Sequence, residues 1–163
     1  MLLIVDEAQN LGNRVLEEIR LLSGVETTKE KVLRIILCGQ PELNEKLDSA
    51  ELVQLVQRVR LRFHLTALTP EDTQAYVLHR LEVAGSHGRQ IFTEDTYPVI
   101  FRYTGGVPRL INTICDTALM GAYALERRQV GLPELKAAIE ELQWVEYAAR
   151  TNRMRAAVLA EMP

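Results

Sequence analysis

A chain of 163 residues, 47% apolar and 25% charged with a formal net charge of −3, is sized for one domain with a real core, or a small domain plus part of another. Its composition is that of a soluble globular protein and does not favour nucleic acid as a partner. No window approaches the roughly 20 apolar residues of a membrane-spanning helix, and the start Met1 to Glu7 lacks the basic flank and long apolar region of a secretory leader, so a cytoplasmic location is expected. The two cysteines, Cys38 and Cys115, sit far apart within apolar runs and read as reduced core residues rather than a disulfide or metal site. His64, His79 and His87 fall in three different contexts and are assigned no ligand role.

In chain order, Leu2 to Val5 is an apolar run without alternation, the pattern of a parallel strand buried on both faces. It stops at Asp6 and Glu7, two carboxylates that need solvent, a partner or a metal, at the strand end where open α/β sheets bind ligands. Asn10 or Asn13 is expected to cap a helix with Val15, Leu16, Ile19 and Leu22 on its apolar face, ended by Gly24. A polar loop from Glu26 to Lys31 precedes a second buried-type strand, Val32 to Cys38, closed by Gly39-Gln40-Pro41. Strand, helix and strand in this order predict a parallel βαβ crossover. Short helices follow at Glu42 to Leu47 and Glu51 to Gln57. From Val59 to Leu65 odd positions are apolar and even ones are Arg or His, which predicts an edge strand exposed on one face.

The pattern changes at Thr69-Pro70-Glu71-Asp72, where a capping threonine, a proline in the first turn and an acid three residues after the cap open a helix running to about Ala84, before Gly85. Further helices are expected from Thr93 to about Tyr103, Val107 to about Leu125 and Leu132 to Val145. The helix from Val107 carries Leu110, Ile111, Ile114, Ala118, Leu119 and Ala122 on one face. An α/β half therefore ends near Ala67 and an all-helical half follows. The tail, with Arg150, Arg153 and Arg155 before a short apolar stretch, either continues the last helix or frays.

Four apolar residues followed by Asp-Glu match the Walker B pattern, in which the first acid holds Mg²⁺ through water and the second orients and deprotonates the attacking water. A plain strand end with two solvated acids has the same string. The later residues favour the first. Val5 to Leu11 (VDEAQNL), Leu33 to Leu43 (LRIILCGQPEL), Leu55 to Gly85 and Tyr103 to Leu119 (YTGGVPRLINTICDTAL) together resemble AAA+ ATPases of the general secretion pathway protein A type. That resemblance runs from Leu2 to about Tyr147. It implies the C-terminal part of a P-loop NTPase parallel-sheet domain over residues 1–67, a helical lid over 68–147 and a tail over 148–163. ATP and Mg²⁺ are implied as ligands, with Asp6 holding the metal and Glu7 acting as base. Gln40 falls at the sensor-1 position, where a polar side chain helps place the lytic water. Arg58 matches the arginine finger that reaches a neighbouring subunit, with Arg60 and Arg62 as competitors. Arg109, in Gly105-Gly106-Val107-Pro108-Arg109, matches sensor 2, and its glycines are expected to let the backbone approach the nucleotide. A homo-oligomer serving secretion or envelope assembly is implied as the working state.

One element of that family is missing: no Gly-Lys-Ser or Gly-Lys-Thr occurs, so there is no G-x-x-x-x-G-K-S/T loop to cradle phosphates. A partial chain starting at Walker B is the simplest expectation. In such a chain the segment 60–65 would lack the neighbouring strand that the family places beside it, and the piece alone would be inactive. A DNA-handling AAA+ protein and a non-catalytic interaction module are the alternatives. The acidic balance and the lack of a basic aromatic stripe count against the first. A helicase reading finds neither of its downstream strings.

Overall fold

The structure is a computed structural model and describes residues 1–22 and 33–152. Gly24, the loop from Glu26 to Lys31, Val32 and the tail from Arg153 onward lie outside the described residues. The chain divides into two compact units, Met1–Leu65 and Thr66–Pro163.

In the first unit β1 (Leu2–Val5) and β2 (Arg34–Leu37) pair in parallel, Leu2 opposite Arg34 through Val5 opposite Leu37, with α1 (Asn13–Leu22) between them in sequence. A 3₁₀ turn at Ala8–Asn10 follows β1. Beyond β2 come α2 (Glu42–Leu47), a 3₁₀ turn at Ala50–Leu52 and α3 (Val53–Val56). Leu16 and Ile19 of α1, Leu43 and Leu47 of α2, and Leu52 and Leu55 are buried together with Ala8, and Val5, Ile35 and Leu37 pack against them. Among the described residues, helices cover only that face of the sheet. Leu2, Ile4 and Ile36 are 56%, 59% and 46% exposed, so the strands are not buried on both faces as their unbroken apolar runs predict. Neither asparagine caps α1: Asn10 lies in the 3₁₀ turn, and the Asn13 side chain donates to the Glu51 carboxylate. The expected apolar face also narrows, since Val15 and Leu22 are exposed.

The predicted edge strand at residues 59–65 does not form. Among the described residues β1 and β2 pair only with each other, and Leu61, Phe63 and Leu65 stand 76%, 85% and 93% exposed. Alternation licenses a strand only where a neighbour supplies the ladder, and this segment has none.

The second unit holds α4 (Pro70–Val83), α5 (Thr96–Thr104), α6 (Pro108–Ala124) and α7 (Leu132–Glu141). Thr69 caps α4 by accepting the Asp72 N–H at 3.1 Å, with Pro70 in the first turn. The core gathers Val77, Ile100, Ile111, Ile114, Ala118, Leu135 and Ile139 around a fully buried Phe92. α5 starts three residues later than predicted because Thr93 is held elsewhere. Its N–H donates to Val130 O at 3.0 Å, beside a parallel bridge between Phe92 and Val130. α7 stops at Glu141 instead of Val145, where Gln143 turns left-handed (φ 53°) and the Trp144 N–H closes back on Ile139 O at 3.1 Å. Residues 147–152 are helical, and Arg150 is tied into this unit. Its guanidinium donates to Tyr103 O at 2.6 Å and lies 4.7 Å from the centre of the Trp144 ring. Packing therefore continues past residue 147, into what the sequence presents as a tail.

Candidate functional site

The C-terminal end of β1 is built by backbone bonds to the end of β2. Cys38 N–H donates to Val5 O at 2.8 Å and Ala8 N–H to Cys38 O at 2.9 Å, so the chain carrying Asp6 and Glu7 crosses directly beside Gly39 and Gln40. Asp6 and Glu7 are both exposed. Asp6 Oδ1 accepts the Glu7 N–H at 2.8 Å, which leaves its second oxygen open to solvent or an ion. Glu7 sits in the left-handed region (φ 53°, ψ 36°), a conformation costing a non-glycine residue about 1 kcal/mol and kept only where the surroundings enforce it.

The contacts around it join the predicted Gln40 to Gln9 and Lys46, to which the sequence assigned no role. Gln9 Nε2 donates to Glu7 Oε2 at 2.5 Å, while Gln9 Oε1 accepts the Gln40 backbone N–H at 3.2 Å. Gln40 Nε2 also points at Glu7 Oε2, at a long 3.5 Å. Lys46, half-buried on α2, donates its Nζ to Gln9 O at 2.7 Å and to Leu11 O at 2.6 Å, fixing the turn after the acids. A Cβ on Gly39 would lie 2.6 Å from Gln9 Oε1 and 3.0 Å from Leu43 Cδ2, so only glycine leaves room for the Gln9 amide. The signal available in the sequence was the pair of glutamines in Asp-Glu-Ala-Gln and Gly-Gln-Pro, but nothing in their spacing shows that they meet.

Three predicted residues, Asp6, Glu7 and Gln40, are thus gathered at one strand end. Arg58 follows α3 on the surface of the same unit, and among the described residues no hydrogen bond or ion pair joins it to the acids. Its guanidinium and that of Arg60 have no hydrogen-bond or ion-pair partner among the described residues, whereas Arg62 pairs with Asp48 at 2.9 Å. Arg109 lies in the other unit, in the first turn of α6, exposed and likewise unpartnered at its guanidinium. The glycines before it are accounted for within that unit. A Cβ on Gly105 would meet the Tyr147 ring at 2.2 Å, and one on Gly106 would meet Leu68 O at 2.0 Å.

No group of three or more His, Cys, Asp or Glu able to enclose a metal exists among the described residues. A lone exposed carboxylate still fits Mg²⁺, which keeps most of its waters and takes one or two carboxylates plus substrate phosphates. Asp6 meets that description.

Residues 1–47 match a family model described as an AAA domain. The chain is 49% identical over 121 residues to general secretion pathway protein A of Aeromonas hydrophila, an alignment covering 74% of this chain and 22% of that protein, so it spans about a fifth of that relative's length. Two structures of Thermotoga maritima RuvB, each of a mutant, superpose with a TM-score of 0.69 at 12% identity, covering 86% of this chain and 44% of theirs, which shows a shared fold. The Asp-Glu strand end, the α/β-then-helical organisation and these likenesses agree: the chain belongs to the AAA+ family, and within it to the general secretion pathway protein A type.

Proposed function

We propose that the natural protein containing this stretch hydrolyses ATP as an oligomer and uses the turnover in secretion or envelope assembly. Glu7 receives the proton of the water that attacks the γ-phosphate, and Gln40 helps to hold that water. Asp6 would hold Mg²⁺ through water, and the ion when bound neutralises charge on the phosphates. Arg58 of one copy serves the site of the next, with Arg60 as the competing candidate now that Arg62 has a partner in Asp48. Arg109 is the cation that contacts phosphate from the helical unit, consistent with a guanidinium placed without a partner at a helix N-terminus, where its charge is locally unfavourable.

The observation that carries this reading is the convergence of Glu7, Gln9 and Gln40 at the end of β1. Solvated acids at a plain strand end need no such network. In the natural protein containing this stretch, Glu7→Gln is expected to lower kcat by more than about 100-fold while ATP binding is retained. Turnover at the parent rate would remove Glu7 from its role.

A further inference from the structure

We propose that Gln9 is the positioning residue for the Glu7 carboxylate, an inference that rests on reading Glu7 as the base of ATP hydrolysis. The direction of the Gln9 amide is determined by its neighbours. A backbone N–H only donates, so the atom 3.2 Å from the Gln40 nitrogen is the amide oxygen, and the NH₂ group then faces Glu7 Oε2 at 2.5 Å. Flipping the amide would set its oxygen against a carboxylate and its NH₂ against an N–H, losing both bonds at once.

The rest of the site holds that amide in place. Lys46 anchors the Gln9 backbone carbonyl, Ala8 beside it is fully buried with its N–H on Cys38 O, and Gly39 provides the space the amide occupies. Glu7 itself is exposed, and its only other side-chain bond among the described residues is the 3.5 Å approach of Gln40. A free glutamate side chain samples many rotamers, so a fixed N–H donor on one oxygen raises the fraction of time the other oxygen faces the attacking water. The charge-assisted bond from Gln9 also leaves that second oxygen free to accept the proton. The contacts that position Glu7 thus come from a residue two positions downstream and from the end of the neighbouring strand.

A merely structural Gln9 would serve only to accept the Gln40 N–H. Gln9→Glu separates the two roles, because a carboxylate still accepts that N–H but donates nothing to Glu7 and repels it. In the natural protein containing this stretch, Gln9→Ala and Gln9→Glu are both expected to lower kcat about 10- to 100-fold with KM for ATP within about twofold. Gly39→Ala, which drives a Cβ into Gln9 Oε1, is expected to lower kcat alone but to cost little more on top of Gln9→Ala. Parent kcat in Gln9→Glu, or additive losses in the Gly39→Ala pairing, would overturn the inference. Full hydrolysis by Glu7→Gln would instead overturn the reading beneath it, so the two failures are distinguishable.

Discussion

Gln9 and Gln40 show how little of a site a residue's own neighbours in sequence reveal. The resemblance singled out Gln40 and not Gln9, although the two side chains end within one hydrogen-bonded group. The cysteines present a similar contrast. Both read as core residues in the sequence, but Cys38 is exposed at the end of β2 and only Cys115 is buried. Burial, with Asp116 beside it, pushes the Cys115 thiol up to about 12. A folded pKa raised above the ordinary value of 9.0 keeps the thiol protonated in the native state. Its stabilising contribution is complete below that value and is lost as pH rises through about 12. At pH 8 iodoacetamide is therefore expected to modify Cys38 in the native chain and Cys115 only after unfolding. Mass spectrometry of the native digest checks this, and equal labelling of both would contradict the burial.

At the scale of elements, helix boundaries were legible where a local residue signal marks them. Thr69-Pro70 announces α4 and Pro108 announces α6, because a capping side chain and a proline in the first turn are local signals. Three ends close in the same way, with an N–H reaching back five residues: Ser86 to Leu81 O, Arg127 to Ala122 O and Trp144 to Ile139 O. Only the first has glycine at its left-handed position. The others put Glu126 (φ 54°) and Gln143 (φ 53°) there, which no residue-type rule anticipates. The start of α6 depends on a longer-range contact. Gly106 has φ 75°, accepts the Leu68 N–H at 2.9 Å through its carbonyl and leaves no space for a Cβ against Leu68 O. Backbone cannot give way as a side-chain tip can. Gly106→Ala is expected to destabilise the helical unit by more than about 2 kcal/mol, read from urea unfolding followed by circular dichroism. A loss below about 0.5 kcal/mol would show that the Leu68 contact relaxes.

For the molecule as a whole, each unit encloses its own core, one around Leu16 and Leu52 and the other around Phe92 and Ile114. No helix among the described residues is long and apolar enough to cross a membrane. Because the 163 residues contain no phosphate-binding loop, this polypeptide by itself is expected to show no ATP binding at millimolar nucleotide by calorimetry. Micromolar affinity would mean that a different backbone cradle exists. Such a result would leave the Glu7 and Gln9 experiments to decide the chemistry separately.

Periodicity, capping residues and the Asp-Glu strand end were enough, on the sequence alone, to indicate a βαβ beginning, a helical second half and two exposed acids at the end of the first strand. These features depend on contacts between residues a few positions apart, and local order records them. Tertiary structure decided what distant segments do to each other. It left the 59–65 alternation without a partner strand, exposed one face of β1 and β2, and brought Gln9, Gly39, Gln40 and Lys46 around Glu7. A hydrogen bond across some thirty residues depends on where two backbones come to lie, and that position is set by the packing of α2 and the 3₁₀ turn onto the shared core.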